Sequence, residues 1–291
     1  EEELAIPVIT GKKSEKEKFV GAVYTTTIES IMPDGKALQM GTSHFLGQNF
    51  SKPFEVKFAD KDNVEHFAWQ TSWGISWRLI GAMIMVHGDD KGLVLPPNVA
   101  PIQVLIVPIY KNDEGMNAVL SKVEEIKKIL EVKKIRVYVD DRKGLSPGYK
   151  FNDGELKGIP LRIEIGPKDI EKESVVIAKR YNREKLNLGF SEIETIATIL
   201  NEIQKEMFVN AKIQAKVNSI DISDYAKFKS KIEIGGFFNA PWCGKTECEE
   251  KIKEETGADI RVLPFDSKNV NEKCIYCNQQ SISIPVFARG Y

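Results

Sequence analysis

The 291 residues contain only four cysteines and three histidines, and no arginine precedes Arg78. No apolar run reaches the roughly 20 residues of a membrane-spanning helix, and no cationic stretch followed by an apolar one marks a secretory leader. A cytoplasmic protein with no membrane partner is therefore expected. Gly-x-Ser-x-Gly, a Walker loop and His-Glu-x-x-His are all missing, so a hydrolase or metalloprotease reading has no motif to rest on. The net charge of −1 gives no global pull toward nucleic acid, although a basic face can be balanced by acids elsewhere. A start methionine is also missing. Glu1-Glu-Glu-Leu-Ala-Ile-Pro7 reads as the tail of a helix entering a strand, which suggests a piece of a longer protein that begins inside a domain.

What is present is ordinary in bulk: 42% apolar and 29% charged residues, enough chain for about two or three globular domains. Tyr24-Thr-Thr-Thr-Ile-Glu29 is rich in β-branched residues, Phe54 to Phe58 alternates as a half-buried strand should, and Glu65 to Thr71 carries aromatics at strand spacing. Pro96-Pro97 and Pro101 mark a boundary. Beyond it, the apolar run Ile102–Ile109 predicts a strand buried on both faces. Met116, Val119, Leu120, Val123, Ile126 and Leu130 recur at helical spacing. Strands are predicted at 135–139, 161–165, 174–179 and 184–188. A long helix is predicted from Ser191, with Ser191 and Glu194 as its capping box. This order predicts an α/β domain with a mixed sheet over 101–205.

The segment Trp73 to Pro97 is the most informative. A strand containing Gly74 runs into Arg78, and an apolar helix, Leu79 to Val86, follows at once. A cation fixed at the start of a rigid element suits a polyphosphate or an adenine face. An exposed arginine opening a buried helix is the plain alternative. His44 lies in Gln39-Met-Gly-Thr-Ser-His44, a small polar stretch that reads as a ligand-binding loop or as the setting of a structural histidine. His66 reads as structural and His87 as a helix cap. The run Lys12 to Lys18 reads as a solvated surface. After a parallel-type strand, Asp140 to Asn152 reads as a polar loop with a turn at Pro147-Gly148; Arg142, Tyr149, Lys150 and Phe151 offer phosphate contacts and stacking faces for unpaired bases.

All four cysteines lie beyond residue 242, as Cys243-x4-Cys248 and Cys274-x2-Cys277. Two close pairs suit a tetrahedral Zn2+ with four thiolates, hence a structural metal with no open position. Two disulfides or four free thiols are the competing readings, and a cytoplasmic setting disfavours disulfides.

Together these segments resemble prolyl-tRNA synthetases of the archaeal/eukaryotic type, a class II aminoacyl-tRNA synthetase family. The resemblance is collinear. It runs through Tyr24-Thr-Thr-Thr-Ile-Glu29, Gly41-Thr-Ser-His-Phe-Leu-Gly-Gln-Asn-Phe50, Met85-Val-His-Gly-Asp-Asp-Lys-Gly-Leu-Val-Leu-Pro-Pro97, Ser146-Pro-Gly-Tyr-Lys-Phe-Asn152, Ile163-Glu-Ile-Gly-Pro-Lys-Asp169 and Phe287-Ala-Arg-Gly-Tyr291. It implies an α/β and α+β multidomain chain. Residues 1–100 would be the C-terminal part of an antiparallel-sheet catalytic domain, 101–205 an α/β anticodon-binding domain with a mixed sheet, and 206–291 a small α+β zinc-binding domain.

The resemblance also implies roles. Gly74 to Arg78 matches the third class II motif, making Arg78 the catalytic arginine on ATP with Ser76 beside the nucleotide. Gln39 and Thr42 match positions that contact ATP and Mg2+. His44 matches a proline-pocket position, with Trp73 and Gly74 as nearby wall, and Tyr291 matches a terminal tyrosine whose carboxylate turns toward the active site. The implied activity is ATP-dependent attachment of L-proline to tRNA(Pro) through prolyl-adenylate, in a protein that is a homodimer at full length. The first two class II motifs would lie upstream of Glu1, leaving this piece inactive alone. A tRNA-binding module without catalysis, or a synthetase-derived accessory protein, are the rival readings. The chain departs from the family pattern at Gly21-Ala-Val23, at Trp77 and at Asn152-Asp-Gly-Glu155.

Overall fold

The computed structural model describes residues 1–110, 113–265 and 271–291. The chain forms two compact units, one of Glu1–Ile6 with Met83–Ala211 and one of Pro7–Ala82 with Lys212–Tyr291. Its elements in chain order begin with strands β1 (Ile9–Lys12), β2 (Tyr24–Ile31), β3 (Ala37–Gly47), β4 (Lys57–Ala59), β5 (Glu65–Phe67) and β6 (Gln70–Gly74), then helix α1 (Arg78–His87). Next come β7 (Val104–Pro108), α2 (Asp113–Val132), β8 (Val137–Val139), α3 (Pro147–Leu156), β9 (Leu161–Ile165), α4 (Pro167–Glu171), β10 (Ser174–Lys179), β11 (Lys185–Gly189) and α5 (Ile196–Val217). The last are β12 (Ser219–Asp221), α6 (Tyr225–Ile232), β13 (Phe237–Asn239), α7 (Thr246–Thr256), β14 (Asp259–Pro264) and β15 (Val286–Ala288).

The Met83–Ala211 unit carries the predicted mixed sheet, in the order β11-β10-β9-β7-β8. β7 runs parallel to β8 and β9, and β10 is antiparallel to β9 and β11. Every residue of β7 and β9 is buried; β7 is the unbroken apolar run expected when both faces are covered, while β9 buries Arg162 and Glu164 as an ion pair. Of the predicted α2 stripe, Met116 and Leu120 are half-buried, while Val119, Val123, Ile126 and Leu130 are at most 1% exposed. Each such side chain contributes about 1.5–3 kcal/mol of burial.

The other unit holds an eight-stranded sheet in the order β12-β13-β15-β14-β1-β2-β3-β6. β1 joins its two halves, pairing antiparallel with β2 and with β14. The strands after residue 217 therefore continue the sheet that carries Thr42 and His44. Phe228 anchors one core of this unit, meeting Phe238 and Phe287 edge to face with both ring centroids at 5.7 Å.

Four local expectations are corrected. Phe54 to Phe58 is not a half-buried strand. Only Lys57–Ala59 is extended, all of it exposed, and it pairs with β5 alone; a two-stranded ribbon has too little cover to bury a face. His44 sits within an eleven-residue strand rather than a loop, because β2 and β6 supply pairing on both sides. Pro147-Gly148 opens a helix rather than a turn. The Ser146 hydroxyl accepts the Tyr149 N–H, and Pro147 takes the first helical position, where its missing N–H costs nothing. The long helix begins at Ile196, after a 3-10 stretch Phe190–Thr195 in which Glu192 accepts the Gly189 N–H. Ser191 and Glu194 therefore do not form the expected capping box.

Candidate functional site

Strand alternation decides which residues share a face. Thr25 pairs with His44, Thr27 with Thr42, and Glu29 with Gln39 beyond a β-bulge at Ile28 and Glu29. β6 adds Ser72 opposite His44 and Gly74 opposite Thr42. One face of the hairpin thus carries Gln39, Thr42, His44 and Gly74. A Cβ built on Gly74 would meet nothing within 4 Å, so this part of the face is open. Trp73 pairs with Ser43 and lies on the opposite face, 77% exposed. An offset of one residue from Gly74 puts it there, so it is not brought together with His44 as a pocket wall.

Both ring nitrogens of His44 are engaged. Nδ1 shares a hydrogen bond with Thr25 Oγ1 at 2.9 Å and Nε2 with Thr42 Oγ1 at 3.2 Å. Burial lowers its pKa, since desolvation penalises the imidazolium. The ring is held neutral near pH 7, with the Phe19 ring 4.8 Å away. A neutral imidazole beside an aromatic face and two hydroxyls suits a small, partly apolar ligand.

Arg78 is the first residue of α1, and that helix has no acidic residue in its first turn. Its N–H donates to Ser76 Oγ at 3.3 Å, and its Nη1 donates to the Gln39 carbonyl at 3.3 Å. Among the described residues no carboxylate pairs with it. An exposed guanidinium at the positive end of a helix, without a counter-ion, favours an incoming anion.

The four cysteine sulfurs lie within 4.8 Å of one another. Cys243 and Cys248 are 3.6 Å apart, as are Cys277 and Cys243. Tetrahedral Zn–S bonds of about 2.3 Å place sulfurs about 3.8 Å apart, so the four sulfurs are gathered closely enough to take zinc with a small inward movement. A residue in the left-handed region follows one cysteine of each pair: Gly244 at φ +84 after Cys243, and Asn278 at φ +58 after Cys277. The left-handed backbone at Gly244 favours glycine there, and a Cβ would also press on Ile282 Cδ1 at 2.3 Å. Burial pushes the Cys248 thiol up, helped by its cysteine neighbours. A divalent cation would offset the charge of the thiolates.

The segment 140–153 is more committed than its composition suggests. Arg142 grips Asp140 through Nε at 2.8 Å and Nη2 at 2.7 Å, and reaches Asp153 at 2.7 Å. Lys150 is 5% exposed, and its ammonium donates to the Asp140 carbonyl at 2.9 Å. A buried, bonded ammonium is not where a nucleic-acid phosphate could reach it, so direct contact from Lys150 is replaced by a structural post. Tyr149 is 54% exposed. Phe151 lies under the Arg162 guanidinium at 4.2 Å.

A family model described as "Prolyl-tRNA synthetase, C-terminal" matches residues 225–291, and an "Anticodon binding domain" model matches 103–199. A proline–tRNA ligase of Cenarchaeum symbiosum is 59% identical over 293 residues, covering 100% of this chain and 61% of its own length. One from Porphyromonas gingivalis is 49% identical over 292 residues, with 100% and 59% covered. One from Chloroflexus aurantiacus is 48% identical over 295 residues, with 100% and 61% covered. The chain belongs to the prolyl-tRNA synthetase family. It spans about three-fifths of the length of these curated relatives.

Within that family frame, the synthetase C-terminal match contains all four cysteines, and the anticodon-binding match contains Arg142 to Phe151. Tyr291 lies beside the tip of the β2–β3 hairpin, where the Asp34 carboxylate, after burial, pushes its phenol up, and Lys36 Nζ lies 5.0 Å from its ring centroid. Sequence reasoning missed Glu29, Lys13 and Arg261, which form a buried ionic group from β2, the residue just after β1, and β14. Glu29 was visible only as part of a threonine-rich strand, and Arg261 lies 232 residues away from it. No local pattern joins them.

Proposed function

We propose that this chain works as the C-terminal part of a prolyl-tRNA synthetase of the archaeal/eukaryotic type, a cytoplasmic homodimer at full length. In the first step the proline carboxylate attacks the α-phosphate of ATP, and pyrophosphate leaves. In the second, a terminal ribose hydroxyl of tRNA(Pro) attacks the prolyl carbonyl, and AMP leaves. Positioning and charge neutralisation carry most of such a reaction, so no side chain of this chain need act as nucleophile.

The observation that carries the reading is Arg78. Its guanidinium has no acidic partner among the described residues, and it is tied to the Gln39 carbonyl on a strand whose same face presents Thr42 and His44. Arg78, Ser76, Gln39 and Thr42 would hold ATP, with Mg2+ neutralising its phosphates. His44, beside the open position at Gly74, would meet proline. Residues 1–100 would supply this catalytic portion, 101–205 the anticodon-binding portion and 206–291 the zinc-binding portion. In the middle portion Tyr149 offers the exposed stacking face, while Arg142 and Phe151 stand near it. Zn2+ held by Cys243, Cys248, Cys274 and Cys277 would be structural, because four thiolates leave no position for water.

A tRNA-binding module without catalysis is the second reading, favoured by the anticodon-binding match over 103–199. Charging assays separate the two. The full-length protein containing this chain should acylate tRNA(Pro) with proline in the presence of ATP and with no other amino acid. Retained tRNA binding without any acylation would favour the second reading.

A further inference from the structure

We propose that Arg261, on β14, is a positioning residue for the site hairpin, acting on it through the buried carboxylate of Glu29. The proposal rests on the reading of that hairpin as the nucleotide and proline site.

Glu29 is 0% exposed, and both of its oxygens are occupied. Oε1 accepts Lys13 Nζ at 2.7 Å and Thr27 Oγ1 at 3.0 Å. Oε2 accepts Arg261 Nε at 3.1 Å and Nη2 at 2.9 Å. Lys13 Nζ also donates to the Arg261 carbonyl at 3.1 Å. Two cations thus share one buried anion. Such a group gives little net stability compared with an apolar one of the same shape, and its best-attested use is to fix register.

The register fixed here belongs to the site. Glu29 stands at the β-bulge opposite Gln39, and a bulge re-aims the residues beside it. The Gln39 carbonyl is the acceptor that holds Arg78. Thr27, held by the other Glu29 oxygen, pairs with Thr42, whose hydroxyl is bonded to His44. Arg261 therefore reaches Gln39 through its bonds to Glu29 and one strand pairing, and Thr42 through Glu29, the Thr27 hydroxyl and one strand pairing.

Arg261 is itself confined. The guanidinium packs against Gly290: a Cβ built there would lie 2.7 Å from its Nη1, so a larger residue at 290 would push on it. A part of the sheet that touches no substrate in the proposed function would in this way set the geometry of the part that does.

The test uses Arg261→Met, Arg261→Lys and Thr27→Val. The first readout is the ring resonances of His44 in this 291-residue chain, followed by heteronuclear NMR. The second is kcat and KM for ATP in proline-dependent pyrophosphate exchange by the full-length protein. Arg261→Met should move the His44 resonances and raise KM for ATP about tenfold or more, since a small misplacement of binding groups is costly. Arg261→Lys keeps a charge-assisted donor and should recover KM to within about threefold of wild type. If Arg261→Met does not fold, Thr27→Val decides instead, because it cuts the next link of the same path, Thr27 Oγ1 to Glu29 Oε1, without stranding a charge; it should also move the His44 resonances. Unmoved His44 resonances in whichever of these variants folds would overturn the proposal. Absence of exchange in the wild-type protein would strike the functional reading alone, because the His44 resonances still decide this one.

Discussion

Arg180 grips Asp89 with two parallel hydrogen bonds, Nη2 to Oδ1 at 2.6 Å and Nη1 to Oδ2 at 2.8 Å, although 91 residues separate them. Arg180 is 5% exposed, and Arg183 adds a third bond to the same carboxylate at 3.1 Å. The Arg180 hydrogen bonds, ahead of the smaller contributions of the Lys91 N–H and Arg183, hold the Asp89 carboxyl well below its usual 3.8. A depressed carboxylate contributes stability that is fully present above its unfolded pKa and is lost as pH falls through the folded one. Asp89→Asn should lower the unfolding free energy at pH 7 by about 1–3 kcal/mol, because it leaves Arg180 without its counter-charge. The gap from wild type should close progressively below the ordinary 3.8. Urea titrations of wild type and variant at pH 7 and in stepwise more acid buffers measure both effects.

Tyr149 and Lys150 are neighbours in sequence with opposite placements. Tyr149 is 54% exposed, and Lys150 is 5% exposed with its ammonium on Asp140. Tyr149→Ala should weaken tRNA binding, by about 1–3 kcal/mol if a base stacks there, and leave the melting temperature unchanged. Lys150→Gln should lower the melting temperature. It should leave the slope of log K against log salt unchanged, because no phosphate contact is removed. Binding isotherms at several salt concentrations, beside thermal melts, check both. A shallower slope in Lys150→Gln would return that lysine to the tRNA surface.

The contrast between those two residues marks how far the sequence was legible. Periodicity exposed the α2 stripe and the buried strand at Val104–Pro108, because both are local patterns with a single physical cause. The paired cysteine spacing was readable for the same reason. Lys150 was not, because whether a lysine is buried depends on an acceptor that only the folded chain brings to it. Trp73 and Gly74 are adjacent in a strand, so alternation puts them on opposite faces, and the pairing of Gly74 with Thr42 shows which face is the site's. The Glu29 and Arg261 pair, and the continuous sheet that makes it possible, depend on β1 meeting β14. That long-range pairing has no signature in either strand.

The cysteine cluster predicts a metal-dependent fold for the residues around it. Elemental analysis of the purified chain should find about one zinc per chain. Stripping it with a chelator should lower the unfolding midpoint, and added Zn2+ but not Mg2+ should restore it, since thiolates prefer the softer ion. Cys274→Ser should abolish stoichiometric zinc and reproduce the chelator effect. Two disulfides found by mass spectrometry, with no effect of chelator, would contradict this.

The most direct test of the account is Arg78→Ala in the full-length protein, measured by proline-dependent exchange of pyrophosphate into ATP. The guanidinium against the Gln39 carbonyl is assigned to the nucleotide, so kcat/KM for ATP should fall by roughly 100-fold or more, while zinc content and tRNA affinity stay at wild-type values. An exchange rate equal to that of the wild type would contradict the assignment of Arg78 to ATP and, with it, the site built around that residue.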